Sequence, residues 1–242
     1  KVKRYFRMLL FCLIVSFGKQ SFAEIPELKW VKGIGNEAIG FNVTSDNFGN
    51  IYIVGHVGWG NDFDPSILNS FLYGEEGDNF LAKYDISGNF LWARRLGSLR
   101  LDEGYDVAVD KNSNVYITGF FQYNLSSTVY SSGNEDIFLA KYDTNGNLIW
   151  LNHMGGADWD IGTSLDVDSS GNIFVSGSFD GPADFDPSTG TSILNGTVNG
   201  FLAKYDTNGT LIWAKKIGES SSIFAQTQCS AISIDIEGNL II

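Results

Sequence analysis

The sequence predicts an all-β fold assembled from a recurring four-stranded antiparallel unit. Three observations carry this. The hexapeptide Phe-Leu-Ala-Lys-Tyr-Asp occurs at 80–85, 138–143 and 201–206, with starts 58 and 63 residues apart. Each copy is followed by an aliphatic–Trp pair, Leu91-Trp92, Ile149-Trp150 and Ile212-Trp213, and then by a glycine five residues after the Trp: Gly97, Gly155 and Gly218. Finally, Asp-x-x-Gly-Asn or a near variant recurs seven times between short apolar runs. With 28 Gly, only 4 Pro and 14% aromatic residues, the composition suits strands and tight turns rather than helical bundles or disorder.

The first unit element is a short alternating run such as Tyr105–Asp110 or Thr163–Asp168, in which Val107 and Val109 point one way and Ala108 the other. A turn leads to the second run, at Ile51–Gly55, Val115–Gly119 and Ile173–Gly177. A variable stretch of about twenty residues precedes the third run, Phe-Leu-Ala-Lys-Tyr-Asp, and another turn leads to the fourth, which bears the Trp. The turns between runs one and two are Asp46–Asn50, Asp110–Asn114, Asp168–Asn172 and Asp235–Asn239. Those between runs three and four are Asp85–Asn89, Asp143–Asn147 and Asp206–Thr210. In each, the Asp carboxylate can accept backbone N–H groups while Gly takes the positive φ that closes the hairpin. Ser113 stands where the other copies have Gly, which predicts either a strained serine or a shift of the left-handed residue to Asn112.

Phe-Leu-Ala and Leu-Ile-Trp are apolar on both faces, so each sheet must be covered on both sides by its neighbours. Radial blades of a β-propeller satisfy this; a string of separate small sheets does not. The expected organisation is a leader at 1–23 and propeller repeats at 24–242. Within the latter we expect an orphan strand at 27–33, matching the fourth run through Trp30 and Gly35. Blades follow at about 36–97, 102–155 and 158–218, with a partial blade at 229–242. Three whole blades plus part-blades fall short of a ring, so the chain is expected to be a fragment of a longer one, forming an open arc by itself.

The quoted motifs resemble the bacterial secreted β-propeller repeat family, the SBBP repeats. The likeness lies in Asp-x-x-Gly-Asn followed by the second run, Asp-Phe-Asp-Pro, Phe-Leu-Ala-Lys-Tyr-Asp-x-x-Gly-Asn, and Leu-Ile-Trp-Ala-Lys-Lys-Ile-Gly, and spans Leu28 to Ile242. The resemblance implies a secreted or surface-displayed bacterial protein with a propeller of about seven blades, often with a C-terminal sorting domain. It brings no shared catalytic residue.

Lys1, Lys3, Arg4 and Arg7, the apolar run Met8 to Phe17, and Ser21-Phe22-Ala23 make the pattern of a secretory signal peptide cleaved after Ala23. The run is too short to span a bilayer, so no membrane span is expected in the mature chain. Cleavage would remove five bases and no acids, leaving 11 basic against 28 acidic residues, a net charge of −17. Such a surface repels phosphate backbones and excludes nucleic acid as a partner. Cys229 would then be the sole cysteine, expected as a small buried apolar side chain.

Residues present in every unit read as scaffold, so Trp30, Trp92, Trp150 and Trp213 are expected between blades. Asp62-Phe63-Asp64-Pro65 and Asp184-Phe185-Asp186-Pro187 recur in blades one and three. Their alternating carboxylates, Asp62, Asp64, Asp184 and Asp186, are the candidate calcium ligands, against the plainer reading of a Pro-stiffened turn with Phe packed inward. Calcium is the one cofactor the sequence suggests. Residues that break the repeat are the better binding candidates: Trp59 in Gly58-Trp59-Gly60-Asn61 and Trp159 in Asp158-Trp159-Asp160. His56 and His153 have no evident third zinc ligand, and no nucleophile elbow or phosphate loop is present. No catalytic residue stands out. The expected function is a non-catalytic binding module for an extracellular protein or glycan. A glycan-active hydrolase or lyase with carboxylates at the propeller channel, and a purely structural surface repeat, are the alternatives.

Overall fold

The computed structural model describes residues 30–35, 37–66, 70–74, 77–97, 100–218, 229–235 and 237–242. The leader assignment at 1–23 lies outside them. Every regular element is a strand paired antiparallel. The first sheet contains β1 (Ala38–Ser45), β2 (Ile51–Val57), β5 (Asp78–Tyr84) and β6 (Phe90–Leu96), with a small hairpin of β3 (Asn61–Asp62) and β4 (Phe71–Leu72) inserted between its second and third strands. The second blade is β7 (Asp102–Val109), β8 (Val115–Asn124), β9 (Tyr130–Tyr142) and β10 (Leu148–Gly156). The third is β11 (Ile161–Val167), β12 (Ile173–Asp184), β13 (Ile193–Tyr205) and β14 (Leu211–Ile217). A last short pair, β15 (Ser233–Ile234) and β16 (Leu240–Ile241), follows.

The variable stretch is a loop in blade one but not in the other two. There it continues the ladder outward, so that β9 and β13 each run for 13 residues. The long β12 then meets the end of β10, pairing Gly155 with Asp184 and Gly156 with Ala183, and joins blades two and three into one sheet. The strand expected over 27–33 is not formed where it can be seen: residues 30–34 run irregularly, and 27–29 lie outside the described residues. Trp30 nonetheless packs on the first blade.

Successive residues of one strand face successive junctions. In blade two, Val115, Ile117, Phe138, Ala140 and Tyr142 pack with Tyr52, Leu81 and Trp92 of blade one. Tyr116, Ile137, Leu139 and Met154 pack with Ile173, Val175 and Phe201 of blade three. Val107 and Ala108 divide the same way. A sheet covered on both sides needs this arrangement, and each fully buried aromatic contributes about 2–3 kcal/mol.

The first strands form the inner edge: β1 lies against β7, β7 against β11, and β11 against β15. Asp106 lashes them together. Its carboxylate accepts from Asn42 Nδ2 at 2.6 Å, Ser164 Oγ at 2.7 Å, and the backbone N–H groups of Val107 and Leu165, both at 2.8 Å. β1, β7 and β11 each carry a one-residue bulge, at Phe41, Tyr105 and Thr163. The bulge explains the glycine that ends the second run. A Cβ on Gly55, Gly119 or Gly177 would run into the carbonyl oxygen of Ile39, Glu103 or Ile161.

The Trp–turn contact repeats three times. Trp30, Trp92 and Trp150 donate their indole N–H to the carbonyls of Ile86, Thr144 and Thr207, at 3.1, 3.2 and 3.4 Å, in the next third-to-fourth turn. Lys83 and Lys141 reach the same turns, at Thr144 and Thr207. In Asp143–Asn147, Asp143 Oδ1 takes the N–H groups of Asn145 and Asn147, and Oδ2 takes the Asn147 side-chain amide. These bonds hold the Asp143 carboxyl below the usual carboxylate range. At Ser113 the serine itself adopts φ 61°, and Asn112 does not take over.

Candidate functional site

Within each blade the Asp turns sit at one end of the strands, while the second-to-third connections and the links between blades sit at the other. At the turn end, residues 45–47, 109–111 and 167–169 ring a polar depression of about 200 Å³, built from repeated scaffold positions. At the loop end the repeat is broken.

The largest break lies where the inner strands of blades one and two meet. The ladder makes His56, Phe120 and Ser178 equivalent, likewise Ile39, Glu103 and Ile161, and likewise the bulged Phe41, Tyr105 and Thr163. The odd members of the first two sets, His56 and Glu103, come together with the two bulged aromatics. His56 Nδ1 lies 3.1 Å from Glu103 Oε1, and Tyr105 donates its hydroxyl to Glu103 Oε2 at 2.7 Å. The hydrogen bond from His56 chiefly, helped by that from Tyr105, lowers the Glu103 pKa against the opposing effect of burial. The exposed Phe41 ring stands edge-on to Tyr105, 5.3 Å between centroids, and 6.1 Å from the His56 ring. Because a bulge turns its extra residue out of the ladder, Phe41 and Tyr105 are freed from sheet packing to line this edge. Beyond Tyr105, Glu135 accepts from Gln122 Nε2 at 3.0 Å and bridges through its backbone to Trp159.

Both tryptophans singled out in the sequence face solvent, Trp59 at 71% and Trp159 at 58% exposure. They do not share a ring contact. Trp59 stands on the blade-one loop, two residues from Asn61, whose side-chain amide donates to the Trp59 and Gly58 carbonyls. Exposed Phe71 and Tyr73 stack nearby on that loop. Trp159 lies on the link between blades two and three.

The Asp-Phe-Asp-Pro loops are turns with an inward Phe. Phe63 and Phe185 are fully buried, each 4.7 Å from a Phe of the third strand, and their carbonyls accept the hydroxyls of Tyr84 and Tyr205. Asp62 Oδ1 receives the N–H groups of Asp64 and Ser70, and Asp184 Oδ1 those of Asp186 and Ser192. Asp64 and Asp186 receive those of Ser66 and Ser188. Among the described residues no three His, Cys, Asp or Glu side chains gather as a metal-holding group. Cys229 is buried and unpaired by disulfide.

A second acidic constellation, not visible in the sequence, lies beneath Trp159. Asp136 and Asp160 are both fully enclosed. Asp136 Oδ1 and Asp160 Oδ2 each stand 2.8 Å from the point where a Cβ on Gly155 would be, which is why that position is glycine. Asp160 Oδ2 accepts the Gly156 N–H at 2.6 Å, Asp136 Oδ2 accepts that of Ser132 at 2.8 Å, and Asp136 Oδ1 has no hydrogen-bond partner. Burial pushes Asp136 up to about 6. It pushes Asp160, which also feels the Asp136 and Asp158 charges, up to about 7.

Residues 91–119, running from the Trp strand of blade one into the second strand of blade two, match the family model described as Beta-propeller repeat, SBBP. That stretch of the chain is thus similar to an SBBP β-propeller repeat. Regulatory protein FlaEY of Caulobacter vibrioides is 29% identical to this chain over 185 residues, 74% of the chain but 18% of the relative. An uncharacterized WD repeat-containing protein of Acanthamoeba polyphaga mimivirus is 29% identical over 110 residues, 37% of the chain and 8% of the relative. The chain therefore spans less than a fifth of either relative's length. A solved protein of unknown function from Bacteroides caccae aligns over 79% of this chain and 86% of its own, at 9% identity and a TM-score of 0.28, too slight a likeness to carry an argument. Among the described residues no helix is long and apolar enough to cross a membrane.

Proposed function

We propose that this SBBP repeat protein is a secreted or surface-displayed, non-catalytic binding module whose ligand is an extracellular glycan. The observation that carries the reading is the gathering of the repeat-breaking His56 and Glu103 with the bulged aromatics Phe41 and Tyr105 at one edge of an otherwise regular scaffold. Aromatic faces stack on the apolar face of a sugar ring, while carboxylates and amides such as Glu135 and Gln122 accept and donate to its hydroxyls. The exposed Trp159, joined to this edge through Glu135, adds a further platform. A non-catalytic role is supported by the enclosure of the most perturbed carboxylates, Asp136 and Asp160, where no substrate can reach.

The test is a glycan array probed with the full chain, followed by titration of any hit against Phe41→Ala and Trp159→Ala. The expected result is a hit weakened about tenfold or more by either change. Binding only to protein partners, or a glycan hit indifferent to both changes, would sink the proposal.

A further inference from the structure

We propose that Asp136 and Asp160 retain one proton between them in the folded protein near neutral pH, and that this proton locks blade two to blade three. The argument starts from geometry. Two fully enclosed carboxyl groups converge on Gly155, and one oxygen of the pair, Asp136 Oδ1, has no partner. Two like charges in such a place cannot both be kept without a counter-charge.

The neighbouring junction identifies what is missing. Asp78 is the blade-one equivalent of Asp136, equally enclosed, and Gly97 makes room for it as Gly155 does for the pair. Asp78 is held by Arg95, with Nε to Oδ2 at 2.8 Å and Nη2 to Oδ1 at 3.2 Å. The ladder position of Arg95, opposite Phe80, is filled in blade two by His153, opposite Phe138. Burial lowers the His153 pKa, opposed by the Asp184 charge, and its ring stands against Phe121. Among the described residues, no guanidinium hydrogen-bonds to the pair.

The other charged groups around it make the deficit larger. Glu135 on β9, Asp158 on the link, and Asp180 on β12, whose N–H donates to Asp160 Oδ1 at 3.3 Å, are all acidic. A cation is a poor fit, because the groups that touch the pair from the backbone, Gly156, Ser132 and Asp180, present N–H donors rather than carbonyls. A proton on the unpartnered oxygen meets the requirement, in keeping with the elevation of both groups to about 6 and about 7.

The pair sits where the two blades are sewn together: Gly156 is both its N–H donor and the partner of Ala183 in the inter-blade ladder. Folded carboxyls that hold a proton above the ordinary value of 3.8 contribute stability at low pH. That contribution declines as pH rises from about 4 through about 7, and is gone above. This inference does not depend on what the inner edge binds.

The experiment is thermal melting of the full chain from pH 5 to pH 8.5, with hydrogen exchange of the amides at 155–160, 183 and 184. The wild type is expected to lose roughly 5 °C in Tm between pH 5 and about 7, with little further change above, and to show lower protection factors at those amides over the same interval. Asp136→Asn should remove most of that pH dependence, and the difference between the two curves cancels the contributions of all other groups. His153→Arg, which supplies the counter-charge of the neighbouring junction, should raise Tm at pH 8 and flatten the profile even if Asp136→Asn folds poorly. A wild-type-minus-variant difference that is constant with pH, or a profile unchanged by His153→Arg, overturns the proposal. So does a rise in Tm at pH 8 on adding calcium that Asp136→Asn abolishes, which would make the counter-charge a metal.

Discussion

The junction between blades one and two and the junction between blades two and three are built from the same repeat, yet each deals differently with the carboxyl group it encloses. Both also enclose an aspartate from the link, Asp102 or Asp160; at the first a guanidinium holds Asp78, and at the second no guanidinium among the described residues bonds to Asp136. The aspartate and the nearby glycine are retained, and only the residue opposite the third-strand Phe changes, from Arg95 to His153. A repeat therefore fixes where a buried polar group lies without fixing how it is neutralised. The first solution is an ion pair, and the second leaves two carboxyls that burial pushes up.

The largest effect that would probe this contrast is removal of the tryptophan each junction shares. Trp92, 9% exposed and packed among Tyr52, Val115 and Tyr142, should cost about 4 kcal/mol as Trp92→Ala, measured by urea unfolding. Trp150, half-buried, should cost visibly less; equal losses would mean the two junctions are mechanically alike. Next comes Arg95→Met, which leaves Asp78 without its counter-ion and should cost about 3 kcal/mol at pH 8. Its sharper consequence is that stability at the first junction should then fall as pH rises, as at the second. A pH-independent loss would show that Arg95 matters for packing alone. The smallest effect is expected at Ser113→Gly: relieving a left-handed serine should stabilise by about 0.5–1 kcal/mol with no change in the pH profile.

What could be read in the sequence was what occurs more than once. The Trp, the turn Asp and Gly, and the inward Phe of Asp-Phe-Asp-Pro are repeated because each meets an equivalent neighbour wherever it occurs, so their role is visible without coordinates. The carbonyl that crowds the glycine closing each second run was not foreseeable. The inner-edge cluster was missed for a physical reason. His56 comes from a second run and Glu103 and Tyr105 from a first run of the following blade, and only radial stacking brings them together. Of these, only His56 and Glu103 differ in kind from the residues at equivalent positions of the other blades. The Asp136–Asp160 pair was hidden differently: nothing in Asp158-Trp159-Asp160 tells that the Asp160 carboxyl points inward. The irregular path of residues 30–34 was missed because Trp30 keeps its docking contact without the strand that carries it elsewhere.

The grip of each Trp strand on the following turn runs in one direction only. Trp92 and Lys83 give hydrogen bonds; the turn at Thr144 in the following blade only receives them, and Trp150 and Lys141 repeat the arrangement on Thr207. Each unit thus has a plug on one flank and a socket on the other, independent of the loops at the far end. Units that keep both can be duplicated, shuffled or replaced while their loops diverge, which gives such a chain a ready means of acquiring new surfaces on an unchanged frame.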